Sequence, residues 1–124
     1  MLKEIVELLT TKKEFFLKLL LEHIEISMSA ILIAIIIGGM AGILISEYRK
    51  AAKPALNIIN FLYTIPSISM LGFLIPFSGI GNVTAVIVLS VYALLPMVRN
   101  TYTGMINVNE SILEAAKGMG STRA

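Results

Sequence analysis

Two long stretches without a charged residue dominate the pattern of this chain. The first covers residues 26–45; as a helix rising about 1.5 Å per residue it reaches about 30 Å, the thickness of a bilayer's hydrocarbon core. The second covers residues 54–98 and is long enough for two crossings. Two glycines and Asn82 within residues 77–82 give turn chemistry, which divides it into spans 55–76 and 83–98. The pattern predicts an all-α, polytopic transmembrane helical bundle with three spans in this chain.

Residues 1–25 have a different pattern. Four lysines and five glutamates alternate with apolar residues that recur at roughly helical spacing, among them Ile5, Leu8 and Leu9. This predicts an amphipathic N-terminal helix that lies along a membrane surface. A helix that packs against another part of the same subunit fits the pattern equally well.

Composition supports a membrane location. Of the 124 residues, 56% are hydrophobic and 15% are charged, whereas a soluble domain carries about a quarter charged residues. The net charge of +2 does not indicate a nucleic-acid partner, and the absence of cysteine excludes disulfides. The first span is not followed by a small-residue cleavage site, so we expect it to be retained.

Basic residues predict the orientation. The 46–53 connector and the segment after the third span contain Arg49, Lys50, Lys53, Arg99, Lys117 and Arg123. Because Lys and Arg concentrate on the cytoplasmic side of membrane proteins, we place the connector and residues 99–124 in the cytoplasm and the N-terminus outside.

Glycines mark a packing face in the first span. Gly38, Gly39 and Gly42 lie in its second half, where small residues let helices approach closely. Gly38 and Gly42 form a G-x-x-x-G pair. That pattern is common by chance, so it predicts close packing only.

The second span contains a candidate functional break. Pro66 lies near its centre, and proline removes a backbone hydrogen bond, so the helix should kink or break there. Interrupted helices near the membrane midplane are a feature of transport paths, which makes Tyr63, Thr64, Pro66 and Ser67 candidate path residues. A structural kink whose hydroxyls bond back to their own helix is equally consistent with the sequence.

A short helix is predicted within residues 107–124, after the third span. Asn109 can cap it, Ala115 and Ala116 lie on its apolar stripe, and Gly118 and Gly120 end it. Such a helix could dock into a cleft on a soluble partner, and an ordinary surface helix has the same pattern.

Two motifs resemble a known family. Glu114-Ala115-Ala116 followed by Gly120 resembles the first half of the E-A-A-x-x-x-G motif of bacterial ABC importer permeases. The segments 64–67, 71–76, 79–81, 92–96 and 99–102 are similar to the osmoprotectant branch, which imports glycine betaine, carnitine or choline. In the family this motif continues to an I-x-L-P and further spans follow, so we expect the chain to be a truncated part of a longer protein.

The resemblance implies a transport mechanism. A permease of this family resides in the bacterial or archaeal cytoplasmic membrane and pairs with a second permease, an ABC ATPase subunit and an extracytoplasmic substrate-binding protein or domain. The resemblance makes Glu114, Ala115, Ala116 and Gly120 the residues that couple the permease to the ATPase. The sequence contains no G-x-x-x-x-G-K-[ST] motif, so we expect no cofactor, no enzymatic activity, and ATP hydrolysis by a separate subunit. A permease for another small solute, such as an amino acid, and a helical membrane scaffold without an ATPase are the alternatives.

Overall fold

The computed structural model describes residues 1–121. Within them the chain forms six helices: α1 (Leu2–Thr11), α2 (Lys13–Glu47), α3 (Arg49–Tyr63), α4 (Ser67–Ser78), α5 (Asn82–Ile106) and α6 (Glu110–Gly118). No strand occurs in this part of the chain. The all-α prediction is confirmed. Arg123, which contributed to the predicted orientation, lies outside the described residues, as does the end of the 107–124 segment.

The N-terminal region is helical, as predicted, but the boundary between its first helix and the first membrane helix differs from the predicted one at residue 25. A break at Lys12 separates α1 from α2. From there α2 runs without interruption across residue 25, where the predicted tail meets the predicted span. The side chains of Ile5, Val6, Leu8 and Leu9 in α1 are exposed, as expected for a helix that contacts lipid.

Close packing of α2 on α5 forms the core. The buried positions of α2 are Ala30, Ala34, Gly38 and Gly42, one every four residues along a single face. Small side chains on one face let two membrane helices come close together, where dispersion contacts hold them. The predicted packing face at Gly38 and Gly42 is confirmed. Gly39 points into open space and does not belong to it.

The contacts show that α2 and α5 run in the same direction. The side-chain amide of Asn82, the first residue of α5, donates a hydrogen bond of 2.6 Å to Glu22 in the first third of α2. Further along, Gly38 lies against Met97, and Gly42 lies against Thr101. Contact positions therefore increase together along the two helices, which is a parallel arrangement.

A parallel arrangement requires the intervening chain to return across the bundle. The segment between α2 and α5 consists of α3 and α4, which meet at a bend of 91°. If they formed a re-entrant loop, α5 would begin where α2 ends and would run antiparallel to it. The α3–α4 pair is therefore a broken span. By length and composition α2 and α5 can each cross a membrane, which gives three crossings with the broken span.

Hydroxyl groups fix the turn between α4 and α5. The Ser78 hydroxyl donates to the Leu74 carbonyl at 3.0 Å and lies 2.7 Å from the buried Thr84 hydroxyl. Thr84 also donates to the Gly79 carbonyl. Gly79 has a φ of 79°, which favours glycine. The predicted turn within residues 77–82 is confirmed.

The fifth helix extends beyond the predicted third span. It continues through Pro96 to Ile106, and Arg99 lies inside it. Proline removes one backbone donor, and a single unpaired carbonyl in a membrane helix can be satisfied locally. Pro96 therefore does not end the helix, which continues past the predicted end of the third span at residue 98.

Most large apolar side chains remain on the surface of the described chain. Ile36 is 61% exposed and Phe77 is 77% exposed, whereas the buried residues are mainly small. A surface of this kind is stable when lipid or further protein covers it.

We expect Gly42→Ala to destabilise the helix pair. The added Cβ would lie 2.6 Å from the Cβ of Thr101 and 2.9 Å from the Val98 carbonyl oxygen, so the two backbones must separate. The expected cost is about 1–3 kcal/mol, measured by denaturant unfolding in detergent micelles. Gly39→Ala is the matched control, because nothing lies within 4 Å of the position that its added Cβ would take. Equal destabilisation by both substitutions would contradict this packing.

Candidate functional site

The proline break separates two helices that share one crossing. The backbone N–H groups of Thr64 and Ile65 donate to the Phe61 and Leu62 carbonyls, which tightens the end of α3. Pro66 then adopts extended backbone angles and precedes the first turn of α4, where its carbonyl accepts from two later amides. Proline suits this place because it has no N–H to leave unpaired.

A tyrosine of the neighbouring helix donates a hydrogen bond to a backbone carbonyl at the break. The carbonyl of Ile65 precedes Pro66 and accepts a hydrogen bond from the Tyr92 hydroxyl of α5. An unpaired carbonyl in hydrocarbon is costly, so this bond makes the break compatible with a membrane. It also fixes the position of the broken span relative to α5.

The predicted path residues have different surroundings. The Thr64 hydroxyl donates to the Phe61 carbonyl at 2.6 Å, which is the local bonding that the structural alternative described. Ser67 is the first residue of α4, is exposed, and makes no side-chain hydrogen bond within residues 1–121. Tyr63 is 60% exposed, and its ring centroid lies 6.2 Å from that of Tyr92.

Tyr63 lines a cleft between α3 and α5 with a volume of about 250 Å³. The residues that complete most of its wall are Asn60, Leu95, Pro96, Arg99 and Asn100. Thr64, Pro66 and Ser67 do not line it. The cleft therefore brings Tyr63, one of the four predicted path residues, together with Asn60 of α3 and with Arg99 and Asn100 of α5.

Two residues of this region were not among the sequence predictions for the site. Tyr92 donates a hydrogen bond to the Ile65 carbonyl at the break, and Arg99 lies in the cleft wall. Both residues lie in segments that resemble the osmoprotectant branch, and Arg99 also contributes to the predicted orientation, but the sequence assigns neither of them to the site. The spacing of the two residues by seven positions places them on one face of a helix. The spacing can be used only if the helix is known to continue beyond residue 98.

The short helix α6 has the predicted caps. The Asn109 side chain accepts a hydrogen bond of 3.1 Å from the Ser111 backbone N–H, which confirms the N-cap. At the other end, the Ser121 N–H donates to Ala116 and the Gly120 N–H donates to Lys117. Gly120 has a φ of 84°. These are the bonds of a Schellman motif, in which glycine occupies the left-handed position.

Within the described residues, α6 makes no contact with another helix. Ile112 is 61% exposed and Met119 is 84% exposed. Glu114 and Ala115 are exposed, and Ala116 is partly buried. Glu114 forms no ion pair within residues 1–121. Of the four predicted coupling residues, Glu114, Ala115 and Gly120 are therefore exposed, and Ala116 is partly buried.

Acidic residues and the histidine do not converge in the described part of the chain. No group of three or more His, Asp or Glu side chains within residues 1–121 could hold a metal ion. The polar groups of the cleft are amide, phenol and guanidinium groups. They can bind and orient a ligand by hydrogen bonds and charge.

Comparison with known proteins identifies the family. Residues 30–124 match the family described as binding-protein-dependent transport system inner membrane component. This match covers most of the chain, and the chain belongs to that family. It is part of a multi-pass inner-membrane protein.

Several curated relatives are similar over most of the chain. The choline transport system permease protein OpuBB of Bacillus subtilis (strain 168) is 38% identical over 97% of this chain and 55% of its own length. The carnitine transport permease protein OpuCB of Listeria monocytogenes is 40% identical over 82% of this chain and 46% of its own. The osmoprotectant import permease protein OsmW of Salmonella typhimurium is 39% identical over 87% and 53%.

The chain spans about half the length of these relatives. No solved structure matches the chain significantly.

We expect Tyr92→Phe to destabilise the junction between α3 and α4, because it leaves the Ile65 carbonyl without its hydrogen bond. The expected loss of unfolding free energy is about 1 kcal/mol. Hydrogen exchange should also accelerate at the first amides of α4. Tyr102→Phe is the control, since its hydroxyl makes no hydrogen bond within residues 1–121. Equal rates of hydrogen exchange at the first amides of α4 in both variants would show that the Tyr92–Ile65 hydrogen bond does not stabilise this junction.

Proposed function

We propose that this chain forms the N-terminal part of the transmembrane pathway of an ABC importer for osmoprotectants of the glycine betaine, carnitine and choline type. The relatives' names support the substrate class. The observation that carries the assignment is α6, a capped helix at the end of α5 that contacts no other helix in residues 1–121. In this proposal its Glu114-Ala115-Ala116 segment docks in a groove of an ATPase subunit.

The helix arrangement supports a way to transmit ATPase movement. Three residues join α6 to α5, and α5 is one continuous helix from Asn82 to Ile106. A displacement of α6 would therefore tilt α5, and α2 would follow because their backbones are in close contact. The broken span would move with α5, because the Tyr92 hydroxyl is hydrogen-bonded to the Ile65 carbonyl. Rocking of these helices against a second permease subunit would give alternating access.

The parallel helix pair also supports the proposed orientation. It places the end of α2 and the end of α5 on the same side of the bundle. Arg49, Lys50 and Lys53 follow α2 directly, and Arg99 lies in the last part of α5. The basic residues therefore collect at one end, which we assign to the cytoplasm. The N-terminus would then be outside, where a substrate-binding protein or domain delivers the solute.

Glu114→Lys should release the ATPase subunit. The reversed charge would lie on the face proposed to enter the groove, so the complete permease should retain less than about a tenth of the ATPase during co-purification, the loss expected from breaking a buried charge contact. Glu47→Lys is the matched control, because it makes the same charge change at the same end of the bundle. Full retention by Glu114→Lys would contradict docking and favour a scaffold without an ATPase.

Uptake competition tests the substrate class. In cells whose only importer contains the complete permease, unlabelled glycine betaine, carnitine or choline should suppress uptake of a labelled quaternary amine. Amino acids in the same excess should not suppress it. The reverse result would favour the amino-acid alternative.

A further inference from the structure

The cleft between α3 and α5 has a polar end and an aromatic end. Asn60, Arg99 and Asn100 lie in its wall together with Tyr63. Along α5, Arg99 follows Tyr92 by seven residues, or about 10 Å of helix. Tyr63 lies beside Tyr92, with ring centroids 6.2 Å apart. The aromatic pair therefore marks the end nearest the proline break, and the guanidinium and amides mark the other end.

The polar end has an uncompensated positive charge. Arg99 forms no ion pair within residues 1–121, and no Asp or Glu lines the cleft. A guanidinium is permanently charged, and its planar fork matches the two oxygens of a carboxylate. The neighbouring amides of Asn60 and Asn100 offer further donors. This end of the cleft is therefore suited to a carboxylate.

The aromatic end is suited to a cation. Ring faces attract quaternary ammonium groups by cation–π interaction. Tyr63 is largely exposed, so part of its ring surface is open to a ligand. A volume of about 250 Å³ has room for one small solute.

We propose that this cleft is a binding site on the transport path for zwitterionic quaternary amines, in which Arg99 binds the carboxylate and Tyr63 contacts the ammonium group. This proposal rests on the proposed function and deepens it by making Arg99 a specificity-determining residue. Glycine betaine and carnitine carry both groups. Choline has the ammonium group without a carboxylate, so Arg99 offers it repulsion and no compensating contact.

The test uses the complete importer in proteoliposomes, with each substrate at a concentration that saturates the binding protein, so that the maximal rate reports the membrane subunits. Arg99→Gln should lower the rates for glycine betaine and carnitine at least tenfold relative to the rate for choline, as expected for loss of a charge-assisted bidentate contact. Arg49→Gln is the matched control, because it removes the same charge at the same end of the bundle and outside the cleft. It should leave the ratio between substrates unchanged.

A second variant distinguishes loss of the carboxylate contact from misfolding. Arg99→Lys keeps the charge but cannot make the bidentate contact, so it should restore part of the betaine-to-choline ratio. Equal loss for all three solutes in both Arg99 variants would overturn the proposal, because a structural or lipid-binding role of Arg99 affects every solute alike. Failure of the unsubstituted importer to move any quaternary amine would instead overturn the proposed function itself.

Discussion

The close, parallel packing of α2 on α5 is the constraint on which the other elements depend. Small residues at every fourth position of α2, from Ala30 to Gly42, allow the backbones to meet. Because both helices run in the same direction, the chain between them must cross the bundle in between. The broken α3–α4 pair is therefore a crossing, and the basic residues at the ends of α2 and α5 share one side. Topology follows here from a contact between two backbones.

The break in the second crossing shows how a defect in a membrane helix can be stabilised by a neighbour. Pro66 prevents a continuous helix, and the released Ile65 carbonyl requires a donor that lipid cannot supply. Tyr92 supplies it from α5. The same bond fixes α3 and α4 relative to α5, so the position of the cleft depends on it. The break therefore has a structural role in this arrangement, and the transport role that we propose for this region is compatible with it.

The fifth helix connects the regions to which we assign function. It contributes to the interface with α2, provides Tyr92 for the break, carries Arg99 in the cleft wall, and leads into α6. A helix that continues through Pro96 can transmit a displacement over its whole length, whereas a helix that ended there could not. The exposed apolar surface of the chain agrees with a subunit that is covered by lipid and by further protein.

Local sequence patterns determined the all-α class, the break at Pro66, the turn after Ser78, and the caps of α6 at Asn109 and Gly120, because each depends on residues a few positions apart. The tertiary structure decided the direction of α5 relative to α2, the partner of the Ile65 carbonyl, and the presence of Arg99 beside Tyr63. These depend on contacts between residues far apart in the chain, which hydrophobic periodicity does not encode. The extent of α5 also had to come from the structure, since proline ends one helix and is tolerated in another according to what surrounds the released carbonyl.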